Sequence, residues 1–444
     1  MVHVFRTSAV GRASVAIAAT LIIGTSLTGC DAGDGGGPST TPTPTSSVVP
    51  SATPSPTAPT GGFEPDAAAA TLGDPAPVVL IKTGPSRLYL YNVVTGTAQR
   101  IDESQLGVHG YMLTIDGDVS WDGMQVAFDS AATDIVNGDT NGFVDVFLKQ
   151  VQSGAAFRVS EFDAVAGNEA STGPRISADG TTIVFTSYAT NLVPGVTKVP
   201  QAYVYDVATG ALELVPSGQV GQAAYGYHPA VSAGGRYVVF ASSTQGEYGD
   251  DNYYGDLYVV DRTTGNVEQV SVASDGTPGD FLSSDPTISL DGRYVAFQSE
   301  ASNLVGDDTN TVYDVFVRDR ASGTTTLVSR TPGGAPANGD SQHALMVQDG
   351  SGVVFGSQAS DLVPGDTNNA YDIFYADLAT GAVTRLNVGP GGVQANADSY
   401  PDAVYGGRYL VFFTYATNLG GDGDDGPMRQ YVYDLQTGTL DRFL

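Results

Sequence analysis

The chain has 444 residues, 41% of them hydrophobic, a formal charge of −29, one cysteine, and lysine only at Lys82, Lys149 and Lys198. Such acidity argues against nucleic acid and anionic headgroups as partners and suits cations or basic proteins, although it also serves solubility. A single cysteine excludes internal disulfides, so a fold of this size has to be held by buried apolar surface.

In chain order, Arg6 and Arg12 precede an apolar run over residues 13–27, the layout of a secretory leader and too short to span a bilayer comfortably. The run ends in "LTGC", Leu27 to Cys30. This resembles the lipobox of bacterial lipoproteins, and the resemblance implies a signal peptide over residues 1–29 and Cys30 as the lipidated amino terminus, carrying palmitate among its acyl chains. The expected location is the extracytoplasmic side of the cell membrane, with the lipid on Cys30 as the only membrane contact. Residues 30–62 are rich in Pro, Thr, Ser and Gly, without a basic residue. They cannot form a core, and as an extended tether they reach at most roughly 100 Å at about 3.1 Å per residue.

From residue 63 the chain repeats itself, most visibly in "ISADGTTIVFTSYATNL" and "ISLDGRYVAFQSEASNL". Phe128, Phe185, Phe240, Phe297, Phe355 and Phe412 recur at intervals of 57, 55, 57, 58 and 57 residues. A Ser/Thr-Gly turn marker keeps step with them at Gly96, Gly154, Gly210, Gly265, Gly323, Gly381 and Gly438. Each unit offers short segments rich in β-branched and aromatic residues bounded by Asp-Gly or Thr-Gly turns, the pattern of strands joined by tight hairpins. Four antiparallel strands per unit at this period predict an all-β fold, a β-propeller over residues 63–444 with seven blades, or six as the alternative. The first unit, "VVLIK", "RLYLYNV" and "AQRI", supplies three strands, and its innermost strand is expected from Asp66 to Leu72.

"SADGTTIVF" and "SLDGRYVAF", followed by "AYVYDVATG" or "DVFVRDRASG", resemble the TolB-type, WD-like propeller repeat. The resemblance implies the fold, and no single function, since such blades serve TolB itself, lyases and the propellers of prolyl oligopeptidases. Two units depart from the Ser-x-Asp-Gly turn, with Gly234 and Gly406 in place of Asp.

Meander topology puts every tight hairpin on one face and the longer second-to-third and fourth-to-first connections on the other, where binding tends to sit. On that loop face "NGDTNGFVD" places Asn137, Asp139, Asn141 and Asp145 at alternating ligand positions with Gly142 at the sharp turn, as in a calcium loop. Asp and Asn recur equally in turns they cap themselves, so both readings stand. The series is thinner at Asp308, Asn310 and Asp314 and at Asp366, Asn368 and Asp372. Twelve residues before each aligned phenylalanine lie Asp116, Gly173, His228, Asp285, His343 and Tyr400, an expected ring at the channel mouth with the side chains for a ligand or a transition metal. Oligogalacturonate lyases share the repeat type and hold a metal with channel histidines; His228 and His343 match them by position, and a third histidine is not evident. His109 is the only other histidine beyond the leader. No nucleophile elbow or phosphate loop occurs, and no catalytic residue is assigned.

These residues point to a tethered, monomeric, non-enzymatic propeller that binds a protein or glycan through its acidic loop face, as a TolB-like protein would. The alternative is a metal-assisted polysaccharide lyase or hydrolase at the channel mouth. Tyr225, Tyr227, Tyr248, Tyr253 and Tyr254 crowd the loops of the fourth unit.

Overall fold

The computed structural model describes residues 62–83, 87–103, 114–196, 200–215, 227–242, 254–420 and 428–443. Cys30 and its flanking leader and tether, His109, Tyr225, Tyr248 and Tyr253 lie outside them. The described chain is a seven-bladed β-propeller, with six four-stranded antiparallel sheets and one three-stranded sheet, each built from a continuous stretch in strand order. Blade 1 covers residues 78–100, blade 2 114–158, blade 3 171–214, blade 4 227–269, blade 5 283–327, blade 6 341–385 and blade 7 399–442.

The aligned phenylalanines are the blade cores. Each lies on a second strand, no more than 1% exposed, and faces an aromatic ring of the third strand: Phe128 with Phe147, Phe185 with Tyr203, Phe240 with Tyr258, Phe297 with Phe316, Phe355 with Phe374 and Phe412 with Tyr431. Burying each ring contributes about 1.5–3 kcal/mol, so the repeat is chiefly a repeat of its anchor. Strands with apolar residues on both faces follow from this, because each sheet packs between two neighbours.

Hydrogen bonds between successive inner hairpins stitch the blades together on the hairpin face. Trp121 N donates to Ala178 O, Asp179 N to Ala233 O, Ala233 N to Leu290 O and Leu290 N to Gln348 O, all within 3.0 Å. Gly407 N donates to the Gln348 side chain and Ala76 N to Trp121 O, each at 2.8 Å. Among the described strands none is exchanged between the ends of the chain. Blade 7 instead meets blade 1 through Tyr405, Tyr409, Val411 and Val432, which share an apolar cluster with Val79, Leu80, Ile81 and Leu90.

The innermost strand expected from Asp66 to Leu72 is not there. Ala67–Thr71 is a 3₁₀ turn, and Asp66 is bonded to the hairpin of blade 4, as its side chain accepts from Ser232 and Gly234. Among the described residues blade 1 has three strands. The residues that were to complete it form instead a strap over the hairpin face.

The long connections from a fourth strand to the next inner strand are ordered by pairing. Glu161–Phe162 pairs with Val165–Ala166 and Val388–Gly389 with Val393–Gln394, while isolated bridges join Val272 to Pro278 and Arg330 to Pro336. Each is then tied down by the second-to-third loop of the blade it leads into. Asn168, Asp280, Asn338 and Asn396 donate backbone N–H to the side chains of Asn191, Asn303, Asp361 and Asn418 at 2.9–3.0 Å. Their own side chains accept in return from the backbone of Thr190, Ser302, Ser360 and Thr417. The repeated "TNL", "SNL" and "SDL" segments exist for this exchange, which turns long loops into a firm surface.

Candidate functional site

The ring position twelve residues before each core phenylalanine falls in a bulge of the inner strand in blades 2 to 6, while in blade 7 Tyr400 is regularly paired and the bulge follows it. Pairing breaks between Thr172 and Arg175, Tyr227 and Ala230, Ser284 and Thr287, and Gln342 and Leu345. Within these breaks Gly173, His228, Asp285 and His343 take φ of 63°, 51°, 49° and 56°. That left-handed region suits Gly and is costly for the other three, by about 1–3 kcal/mol each, so the surroundings must hold them. The residue after the core phenylalanine of the preceding blade does so for His228 and His343, and holds Gly173 in the same way. Asp129, Thr186 and Gln298 accept the backbone N–H of Gly173, His228 and His343 at 3.0, 3.2 and 2.8 Å.

These holders separate the ring into three groups. In the first, Asp116 bonds Arg175 at 3.0 Å and lies 3.6 Å from Lys82, which is 3.5 Å from Asp402. Asp118 caps the N–H of Ile176. Lys82 thus bridges inner strands of blades 2 and 7 across blade 1, which has three strands among the described residues. Burial raises the Asp118 pKa, opposed by Arg175. Burial works against the Arg175 charge, but Asp116 and Asp118 more than offset it and its pKa ends up raised. Burial first, then Asp402 and Asp118, push the phenol of Tyr405 well above its ordinary value. Opposite charges in a poorly hydrated wall make this group a lock on the ring rather than a reagent.

In the second group His228 Nδ1 lies 2.8 Å from Asp285 Oδ1, and the two side chains are 57% and 35% exposed. Near it, Tyr254 stacks on Phe281 with centroids 4.1 Å apart. Both of these rings are exposed on the loop face, and Phe281 leads into the strand that carries Asp285. In the third group His343 meets the edge of Tyr371, and Tyr371 stacks on Tyr400 at 5.0 Å. Tyr371 reaches there because blade 6 has Gly356 after its core phenylalanine; a Cβ at Gly356 would lie 2.1 Å from the Tyr371 ring. Burial pushes the Tyr400 phenol up to about 12, with Asp398 adding to it. The six positions therefore do not converge on one center. Among the described residues, no group of three or more His, Cys, Asp or Glu is arranged to hold a metal ion.

The loop over residues 137–145 is brought together in a different sense. Asn141 turns its amide nitrogen to Asp145 at 2.8 Å and to Gly167 O at 3.0 Å, while its oxygen accepts from Phe143 N. Arg158 lies 3.5 Å from Asp139 and 3.8 Å from Asp145, with Ser160 bonding the other oxygen of Asp145. Asn137 is exposed. Most oxygens of this loop are thus directed at the chain itself, with Arg158 beside both carboxylates, while Asp139 Oδ1 accepts no hydrogen bond. Blade 6 repeats the arrangement, with Arg385 at 3.0 Å from Asp366 and 3.5 Å from Asp372.

Sequence reasoning did not single out Lys82, Asp118, Arg175, Asp402 or Tyr405, although Asp118, Arg175 and Asp402 each stand ten residues before a core phenylalanine. It also passed over Asn168, Asp280, Asn338 and Asn396, for which a signal existed: each stands three residues before the first serine of an inner strand.

No family profile matches the chain, and no curated protein matches it. Solved structures do. The β-propeller domain of the Trilobed protease from Pyrococcus furiosus, described as having an open velcro topology, is 9% identical over 82% of this chain and 92% of that one, with a TM-score of 0.50. TolB from Acinetobacter baumannii is 14% identical over 82% and 77%, with a TM-score of 0.43. An oligogalacturonate lyase from Vibrio parahaemolyticus is 15% identical over 83% and 86%, with a TM-score of 0.47. Identities this low speak to fold alone. The likeness is to TolB, lyase and peptidase propellers together.

Proposed function

We propose that this chain is a non-enzymatic binding protein, held at the outer side of a membrane by a lipid on Cys30, whose loop face engages a protein or glycan. The observation that carries this reading is the exposed Tyr254–Phe281 stack beside the His228–Asp285 pair. Stacked rings left in water next to hydrogen-bonding side chains suit a sugar ring or a peptide side chain. Asp163, Glu169, Asp275, Asp280 and Asp307 stand exposed on the same face and favour a partner with basic groups. Residues 63–77 lie on the opposite face. Among the described residues no helix is long and apolar enough to cross a membrane.

Binding of the soluble portion, residues 62–444, to glycan and peptide arrays tests this reading. Tyr254→Ala with Phe281→Ala is expected to weaken every specific hit by at least about tenfold, whereas Arg408→Ala on the hairpin face leaves them intact. Hits indifferent to the aromatic pair would refute it. A metal-assisted lyase or hydrolase is the second reading, favoured by the left-handed conformations of His228, Asp285 and His343. It requires turnover of an acidic polysaccharide that disappears in His228→Ala and His343→Ala.

A further inference from the structure

Four hairpins between inner and second strands carry the aspartate of the Ser-x-Asp-Gly turn, and in three of them it does the same two things. Asp122, Asp179 and Asp291 accept from Ser120, Ser177 and Ser289 Oγ at 2.6–2.7 Å. They also accept from the backbone N–H two residues on, at Met124, Thr181 and Arg293. Blade 4 keeps its serine, Ser232, but has Gly234 in place of the aspartate. Asp66, 166 residues upstream of that serine, fills the role: its Oδ2 accepts from Ser232 Oγ at 2.6 Å, from Gly234 N at 2.9 Å and from Arg236 N at 3.3 Å. Asp66 is only 5% exposed. A Cβ on Gly234 would lie 2.7 Å from Ala68 Cβ and 2.9 Å from Asp66 Oδ1, so a turn aspartate and the strap cannot share the site.

Further contacts seat the segment. Phe63 stacks on Tyr237 at 5.9 Å, Arg320 lies over both rings, and Glu64 pairs with Arg236 at 3.1 Å. Asp66 N donates to Asp291 O of blade 5. Ten residues on, the chain has reached the other side of the ring, where Gly73 O accepts from Trp121 Nε1 and Ala76 N donates to Trp121 O in blade 2. Pro75 lies over Gly406 of blade 7, where a Cβ would come within 2.7 Å of it. Both blades whose turn aspartate has become glycine thus lie under the strap, which also touches blades 2 and 5. Blades 4 and 7 lie on opposite sides of a seven-membered ring, so residues 67–72 pass over the hairpin-face end of the channel.

We propose that residues 63–77 are a releasable latch: Asp66 supplies the turn aspartate that blade 4 lacks, and its withdrawal uncovers the hairpin-face mouth of the channel. Phe63 directly follows the stretch read as a tether, so a pull from upstream reaches this contact first. Latched, the channel opens only at the loop face; unlatched, it opens at both ends.

The test uses the full chain with Gly234→Asp, Asp66→Ala and their combination. Gly234→Asp gives blade 4 its own acceptor and evicts the strap. Protease cleavage within residues 62–77 is then expected to accelerate on the order of tenfold or more, and Trp121, the only tryptophan, becomes more open to acrylamide quenching. Thermal melts supply a sign test that a purely local role would not pass. Gly234→Asp lowers the midpoint in the natural chain, where it displaces Asp66, and raises it in Asp66→Ala, where it replaces a missing acceptor. The same sign in both backgrounds, or an unchanged cleavage rate in Gly234→Asp, overturns the proposal.

Discussion

Blades 2 and 5 carry the same loop and solve it differently. In both, an aspartate opens the third strand, an asparagine four residues earlier donates to it, and a serine of the fourth-strand connection bonds its second oxygen: Asn141, Asp145 and Ser160 in one, Asn310, Asp314 and Ser329 in the other. Blade 2 then adds Arg158, paired across from Phe147, beside both of its carboxylates. At the equivalent place, across from Phe316, blade 5 has Leu327. Burial raises Asp145 despite Ser160, Asn141 and Arg158, whereas burial with no guanidinium across from Phe316 pushes Asp314 up to about 6. The lesson is that these acidic loops are closed by whatever the outer strand provides: Arg158 beside both carboxylates in blade 2, and in blade 5 the apolar Leu327, with Asp314 titrating at about 6.

The largest expected effect comes from making blade 2 resemble blade 5. Arg158→Leu leaves Asp139 and Asp145 buried without a cation and is expected to cost about 3–5 kcal/mol in urea unfolding at neutral pH. An effect under about 1 kcal/mol would mean that the pair is already solvated.

Next is the pH dependence of blade 5. Because the folded Asp314 holds its proton up to about pH 6 and the unfolded carboxyl releases it near pH 4, the unfolded state binds fewer protons in between. Stability therefore falls as pH rises from about 4 to 6, by on the order of 2–3 kcal/mol from this group. Asp314→Asn, which keeps the shape and can still accept from Asn310 while its amide N–H turns to the Ser329 hydroxyl, is expected to remove that share of the slope. Leu327→Arg sharpens the point by lowering the Asp314 titration toward the ordinary carboxylate range, as read by NMR. Equal slopes in all three proteins would sink the comparison.

The smallest effect is that of calcium. With Arg158 and Arg385 standing between the carboxylates of blades 2 and 6, adding calcium or a chelator is expected to move the thermal midpoint by less than about 1 °C. A larger shift would show that an ion displaces a guanidinium.

Much of this was legible in the residues. The spacing of the phenylalanines gave the blade cores, the Asp-Gly and Thr-Gly pairs gave the hairpins, and Asp145, Asp314 and Asp372 do open third strands. The register of the six expected ring positions was legible, but how they divide was not, because that depends on which side chain follows the core phenylalanine of the preceding blade: Thr186, Gln298 or Gly356. Reading Asp66–Leu72 as a strand failed because the first unit was assumed to need the same four strands as the others. The two glycines at 234 and 406 were visible as departures, but not as the track of another segment.

By itself the sequence determined what recurs within one unit: strand, turn, anchor residue and the face on which each connection lies. Those features follow from backbone alternation and turn geometry over a few neighbouring residues, and repetition makes them plain. Only the tertiary structure decided which charges meet, since Asp66 with Ser232, Lys82 with Asp402 and Arg158 with Asp139 are joined by packing between segments distant in the chain, and no local period encodes such distances.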